Sequence, residues 1–276
     1  MMKKVTKAAA LALVMAVMMS MLAACGSNAG TSAGTSDTAD SETAGTNTAQ
    51  GGTLTFGTNA EFPPFEFVTS NGVIDQYDGI DMAIAKQIAE ENGMTAKIEN
   101  MEFDSLVMAL ANGQLDAVIA GMTITDERLE SVDFSTPYYT ATQVMIVKED
   151  SDIASAADMA DKKICVIQGY TGETCVQEMG YPYEAFKKGT EAVLELISGR
   201  CDVVVIDSAT AQKYVGDNEG LKIVEDSAAF ESEEYAIAVQ KGNTELLDMI
   251  NKSIEAKLAD GTISELSALY IDESGE

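Results

Sequence analysis

The feature that most constrains the fold is a unit that the chain contains twice. Residues 104–121 read as a helix, then Gly113, Asp116 and the apolar stretch 117–120. Residues 190–207 read as a helix, then Gly199, Asp202 and the apolar stretch 203–206. The same interval separates Gly113 from Gly199 and Asp116 from Asp202. A short strand that is apolar on both faces belongs in a buried parallel sheet. Its recurrence behind the same helix and turn predicts two α/β lobes of similar wiring. Ligands of such sheets bind beyond the C-terminal ends of the strands. The first copy ends at Gly121, Met122 and Thr123, the second at Asp207 and Ser208. If the lobes face each other, these ends line one cleft.

The rest of the chain alternates in the same way. Strands are predicted near 53–57, 96–98, 142–147, 166–167 and 235–239. Helices are predicted over 81–92, 104–111, 173–179, 191–198, 209–215, 244–260 and 263–270. In the first helix Met82, Ala85, Ile88 and Ala89 share a face, and Asp81 is placed to cap its start. Asp104 reads as a cap in the same manner. Asn112-Gly113 and Gly261 supply helix stops.

The N-terminus is of another kind. Lys3, Lys4 and Lys7 precede an apolar run over 8–24, broken only by Ser20. Small residues then lead to Cys25 and Gly26. A basic head, an apolar run and small residues at the cut mark a signal peptide, here 1–24. The run is somewhat short for a spanning helix, which needs about 20 apolar residues. Cys25 resembles the acylated cysteine of bacterial lipoproteins, which implies palmitate-type chains on a new N-terminus. Residues 27–50 carry no aromatic or β-branched apolar side chain. Such a stretch cannot repay its ordering entropy, so 25–50 is expected to be a lipidated tether with a reach of roughly 25–30 Å.

Composition removes several function classes. The chain carries 17 Lys plus Arg against 45 Asp plus Glu, which disfavours nucleic acid as a partner. It has no His, so His-based acid–base chemistry is excluded and a zinc site would need cysteines and carboxylates alone. No metal and no cofactor is expected. Cys165, Cys175 and Cys201 match no metal spacing. Cys165 and Cys201 sit in apolar strand-like runs, which favours free thiols.

Few residues are left to bind a ligand. Only two arginines occur, Arg128 and Arg200. Arg128 follows the first repeated strand, with Thr125 placed to cap a helix and Asp126 and Glu127 in its first turn. A guanidinium there can reach back over the strand end and hold a carboxylate bidentately; the alternative is a surface ion pair. Asp207 either caps the helix after it or points into the cleft to take an ammonium. Together they fit an α-amino acid. Phe62, in Phe62-Pro63-Pro64-Phe65, and Phe103 can wall a ligand side chain, or simply fill the core. The loop Gln168-Gly169-Tyr170-Thr171-Gly172 can present N–H groups and the Thr171 hydroxyl to an anion. No Lys follows it, so it is not a nucleotide-binding loop.

These residues resemble, in order, the polar amino-acid-binding proteins of bacterial ABC importers. The resemblance runs through 57–66, Gly79-Ile80-Asp81, Phe103-Asp104-Ser105-Leu106, 120–128, Pro137-Tyr138-Tyr139, Gly169-x-Thr171-Gly172, Asp207 and Lys241-Gly242. It covers essentially all of 53–270. It implies an α/β, bilobed periplasmic-binding-protein fold of type II, the Venus-flytrap arrangement, with two hinge strands. Lobe 1 would comprise 51–142 plus 236–276 and lobe 2 would comprise 147–231. It further implies that Arg128 holds the ligand α-carboxylate, that Thr123 and the backbone at Gly121 assist, that Thr171 adds a contact from the second lobe and that Asp207 receives the ammonium. Phe62 and Phe103 would sandwich the side chain. Asn59 stands where several relatives carry Asp, and Tyr170 where many carry Thr. Asn59 disfavours a purely cationic ligand and the scarcity of arginine disfavours an acidic one, so a neutral polar amino acid such as glutamine or cystine is expected.

The function expected is therefore an extracytoplasmic receptor, not an enzyme. It would be a monomer held by its lipid anchor on the outer face of the cytoplasmic membrane, in a bacterium without an outer membrane. Its partners would be the transmembrane permease subunits. Two alternatives are a small-molecule dehydratase on the same fold, with Glu61 as its acid–base candidate, and a ligand-sensing surface receptor.

Overall fold

The structure is a computed structural model and describes residues 51–272. The expected signal peptide, Cys25 and the tether lie outside the described residues.

Two sheets carry the fold. The strands of the first run in the order Thr95–Asn100, Thr53–Thr58, Ala117–Val118, Ala238–Gln240, Val132–Phe134. Those of the second run Tyr183–Phe186, Ile164–Ile167, Val203–Asp207, Tyr139–Lys148, Leu221–Val224, and Ser232–Tyr235 also pairs with Tyr139–Lys148. In each sheet the first three strands are parallel and the fourth joins antiparallel. The two lobes thus share their wiring, and the architecture is the bilobed α/β one.

The repeated residues do the same work in both lobes. Gly113 and Gly199 lie in the left-handed region, at φ 73° and 74°, where they end the helices Phe103–Ala111 and Gly189–Ile197. The Asp116 N–H donates to the Thr55 carbonyl, and the Asp116 carboxylate accepts from the Thr55 N–H at 2.7 Å. Asp202 makes the same reciprocal pair with Lys163, at 2.8 Å for the side-chain bond. Each aspartate clamps the start of its strand to the neighbouring one.

The helix Ile80–Glu91 buries Ile80, Met82, Ile84 and Ile88 completely against the first lobe's core, where Phe56 and Leu106 also lie. Burying one such aliphatic side chain stabilises by roughly 1.5–3 kcal/mol. The second lobe packs Met145, Val147, Met159, Val166, Val203 and Val205. The chain crosses between the lobes on two paired segments: Ser232–Tyr235 lies antiparallel to the opening residues of Tyr139–Lys148.

Three local expectations are corrected. Asp81 caps nothing: the helix begins after Gly79 without a side-chain cap bond, and the fully buried Asp81 carboxylate accepts from the Gly121 N–H at 2.7 Å and the Tyr138 hydroxyl at 2.9 Å. The core captured a residue whose position in the sequence suits a cap. Asp104 makes no cap bond either; it accepts from Gln168 Nε2 of the other lobe at 2.9 Å. The stretch 235–239 is not one strand, because Tyr235 pairs with Tyr139 while Ala238 pairs with Val118 and Phe134. The chain changes partners there as it returns to the first sheet. Cys165, Cys175 and Cys201 are free thiols, two of them buried. Among the described residues no helix is long and apolar enough to cross a membrane.

Candidate functional site

The strand ends of the two lobes meet in one cleft. Phe62, Phe103, Gly121, Thr123 and Arg128 line it from the first lobe, and Tyr170, Thr171 and Asp207 from the second. The structure brings together every ligand-binding residue expected from the sequence, with Asn59 buried immediately behind Tyr170.

Local geometry aims each group. Gly121 has φ 53°, and a Cβ there would meet the Phe62 ring at 2.6 Å. The wall therefore requires glycine twice, for its backbone and for the close approach. Thr125 caps the helix Asp126–Ser131 by accepting from the Arg128 N–H at 3.2 Å. Arg128 then turns its side chain back over the strand end. Nη1 donates to the Thr123 carbonyl at 2.6 Å and Nη2 to the Gly169 carbonyl of the opposite lobe at 3.0 Å. The guanidinium carbon stands 5.2 Å from the centre of the Phe103 ring, close enough for cation–π attraction. Burial pulls the arginine pKa down from its ordinary value, while Glu233 and Asp207 act in the other direction. A half-buried cation held by neutral carbonyls is a ready receiver for a carboxylate.

Asp207 precedes the helix Ser208–Asp217 but makes no side-chain cap bond. Its Oδ1 accepts from the Tyr235 hydroxyl at 2.5 Å. Burial, with Glu233 nearby, pushes its pKa up to about 7, against hydrogen bonds from Tyr235 and Gln143 that pull it back. Of the two readings open in the sequence, the geometry selects the cleft-facing acid.

Sequence reasoning missed Glu233. Its carboxylate accepts from the Thr171 hydroxyl at 2.7 Å, the Thr123 hydroxyl at 2.8 Å and Gln143 Nε2 at 3.5 Å. One acid on the connecting strand thus ties a threonine of each lobe. Nothing in the acidic run 231–234 singles it out; only the register of Glu233 opposite Ala141 aims it inward. Glu61 is ion-paired with Lys188 across the lobes at 2.7 Å.

A second acid group lies behind the wall. Glu66 and Asp81 are both fully buried. Burial raises Asp81 to about 6 and Glu66 well above the usual carboxylate range, each acting on the other. Since Asp81 holds the Gly121 N–H, this pair supports the cleft from beneath. Among the described residues no cluster of three His, Cys, Asp or Glu side chains could hold a metal.

Comparisons with known proteins bear on the family and the fold. Residues 54–273 match the profile of the bacterial extracellular solute-binding proteins, family 3. The arginine-binding extracellular protein ArtP of Bacillus subtilis (strain 168) is 34% identical over 219 residues, 77% of this chain and 84% of that one. Among solved structures, an ancestral arginine-binding protein bound to glutamine aligns with TM-score 0.74 and 43% identity, over 82% of this chain and 99% of that one. The ancestral amino acid-binding protein AncCDT-1, a precursor of cyclohexadienyl dehydratase, aligns with TM-score 0.74 and 36% identity, over 80% and 96%.

Proposed function

The chain belongs to the bacterial extracellular solute-binding proteins, family 3, and from that premise we propose that it is an extracytoplasmic receptor that takes an amino acid into the cleft between its lobes and delivers it to an ABC importer. The observation that carries this reading is a guanidinium and a carboxylate, Arg128 and Asp207, brought to one cleft from opposite lobes. A zwitterion satisfies both, with its carboxylate on Arg128 and its ammonium on Asp207. Thr123 and Thr171 flank it, and Asn59, Phe62, Phe103 and Tyr170 face its side chain. A neutral polar side chain suits an end of the cleft whose polar side chain is the uncharged Asn59. Ligand bound between the lobes favours the closed state through contacts that the open state lacks. The closed form is what the permease subunits would recognise.

The proposal extends to the N-terminus. Cys25 would carry the lipid that holds a monomeric receptor on the outer face of the cytoplasmic membrane. The protein would perform no turnover. AncCDT-1 is itself named an amino acid-binding protein, and Glu61, the acid–base candidate of the dehydratase reading, is engaged in an ion pair with Lys188; both support binding over turnover. Mass spectrometry after incubation should recover every bound amino acid chemically unchanged; conversion of any of them would favour the dehydratase.

The test is calorimetric titration with the twenty amino acids and cystine. Arg128→Ala should lose about 2–5 kcal/mol of the binding free energy. Unchanged affinity in that variant would remove the carboxylate role.

A further inference from the structure

Tyr170 stands where a ligand side chain would be expected. It is the N-cap residue of the helix Thr171–Glu178 but makes no side-chain cap bond. Its ring is buried in the cleft instead, 6% exposed. It lies edge-on to Phe103, with 4.5 Å between ring centres, and to Phe62 at 5.3 Å. Its hydroxyl donates to Asn59 Oδ1 at 3.1 Å, while Asn59 Nδ2 donates to the Met101 carbonyl at 2.9 Å. Both aromatic walls and the amide at the end of the cleft are therefore occupied by a side chain of the protein itself. The space left among these rings, Arg128 and Asp207 is about 10 Å³, room for about one water molecule.

We propose that Tyr170 is a specificity-determining residue that shortens the cleft, so that the receptor takes α-amino acids with short uncharged side chains, such as serine, threonine or alanine, and discriminates against long ones. This rests on the amino-acid reading above and moves its expected ligand away from glutamine and cystine. When the lobes part, Tyr170 leaves with the second lobe and Phe62, Phe103 and Asn59 stay with the first. A zwitterion then enters between Arg128 and Asp207. If its side chain is short, the ring returns to the two phenylalanines with a small shift and recovers its bond to Asn59. A long side chain needs that slot. It keeps the phenol out, and the closed state forfeits the aromatic contacts and the hydrogen bond. A charged side chain fares worse, because Asn59 offers no counter-charge.

Calorimetric titration of the full-length protein, Tyr170→Thr and Tyr170→Phe with serine and with glutamine tests this. The wild type should bind serine at least about tenfold more tightly than glutamine. Tyr170→Thr should move that ratio toward glutamine by about tenfold or more. Tyr170→Phe keeps the ring and should keep most of the preference for serine. Tighter binding of glutamine than serine by the wild type overturns the proposal, even if a variant fails to fold. So does an unchanged ratio in Tyr170→Thr, or an equal change in Tyr170→Phe. In each of these cases the receptor reading survives. Binding of no amino acid to the wild type overturns both.

Discussion

In the role proposed for it, Asp207 would have to be ionised to receive an ammonium, in a place that resists ionisation. Burial and the neighbouring Glu233 hold its pKa near 7, while Tyr235 and Gln143 favour the charged form and Arg128 adds its positive field. The protonated acid is a poor acceptor for an ammonium. Ligand binding to the carboxylate must therefore release a proton wherever the free acid is protonated, and affinity should rise with pH up to about 7. Titrations across about pH 5 to 8 should show a slope approaching about tenfold per unit on the acid side. Asp207→Asn should bind more weakly and show a flatter profile. A wild-type affinity independent of pH would mean that Asp207 is not the ammonium acceptor. At this scale Arg128 was legible in the sequence because arginine is scarce. Glu233 was not, because it sits among other acids and only strand register turns it inward.

The helix–glycine–aspartate–strand unit makes its own prediction at the scale of elements. Asp116 and Asp202 each accept a backbone N–H from the neighbouring parallel strand. Asp116→Ala and Asp202→Ala should each destabilise by about 1–2 kcal/mol, and the two losses should be similar, because the bonds are equivalent. Denaturant unfolding measures this. Because the sites lie in different lobes, the losses should add in the double variant; strong coupling would contradict independent clamps. The repeat was visible because both copies keep glycine and aspartate at the same interval. The Asp81 and Asp104 caps were misread for a common reason. An acid at a helix start is favoured locally, but a tertiary donor nearby competes for it. The Gly121 N–H and the Tyr138 hydroxyl won Asp81, and Gln168 of the opposite lobe won Asp104.

For the whole molecule, the lobes meet through contacts spread around the cleft: Arg128 to Gly169, Tyr170 to Asn59, Gln168 to Asp104 and Lys188 to Glu61. The proposed anchor then predicts a separation of roles. Cys25→Ser should shift the protein from the membrane fraction to the soluble one, as read by fractionation and intact mass, and leave amino-acid affinity within about twofold, since stable anchoring needs two acyl chains. Retention of Cys25→Ser on the membrane would sink the lipid assignment. The sequence by itself determined the two similar α/β lobes and the residues that gather at their strand ends. Apolar strands, turn glycines and a scarce arginine are local signals, and their order along the chain survives folding. Tertiary structure alone decided which acid faces the cleft, that Glu233 joins the two lobes and that Tyr170 fills the slot between the phenylalanines. Each depends on groups far apart in the chain, whose distance and direction are set by strand register and lobe closure.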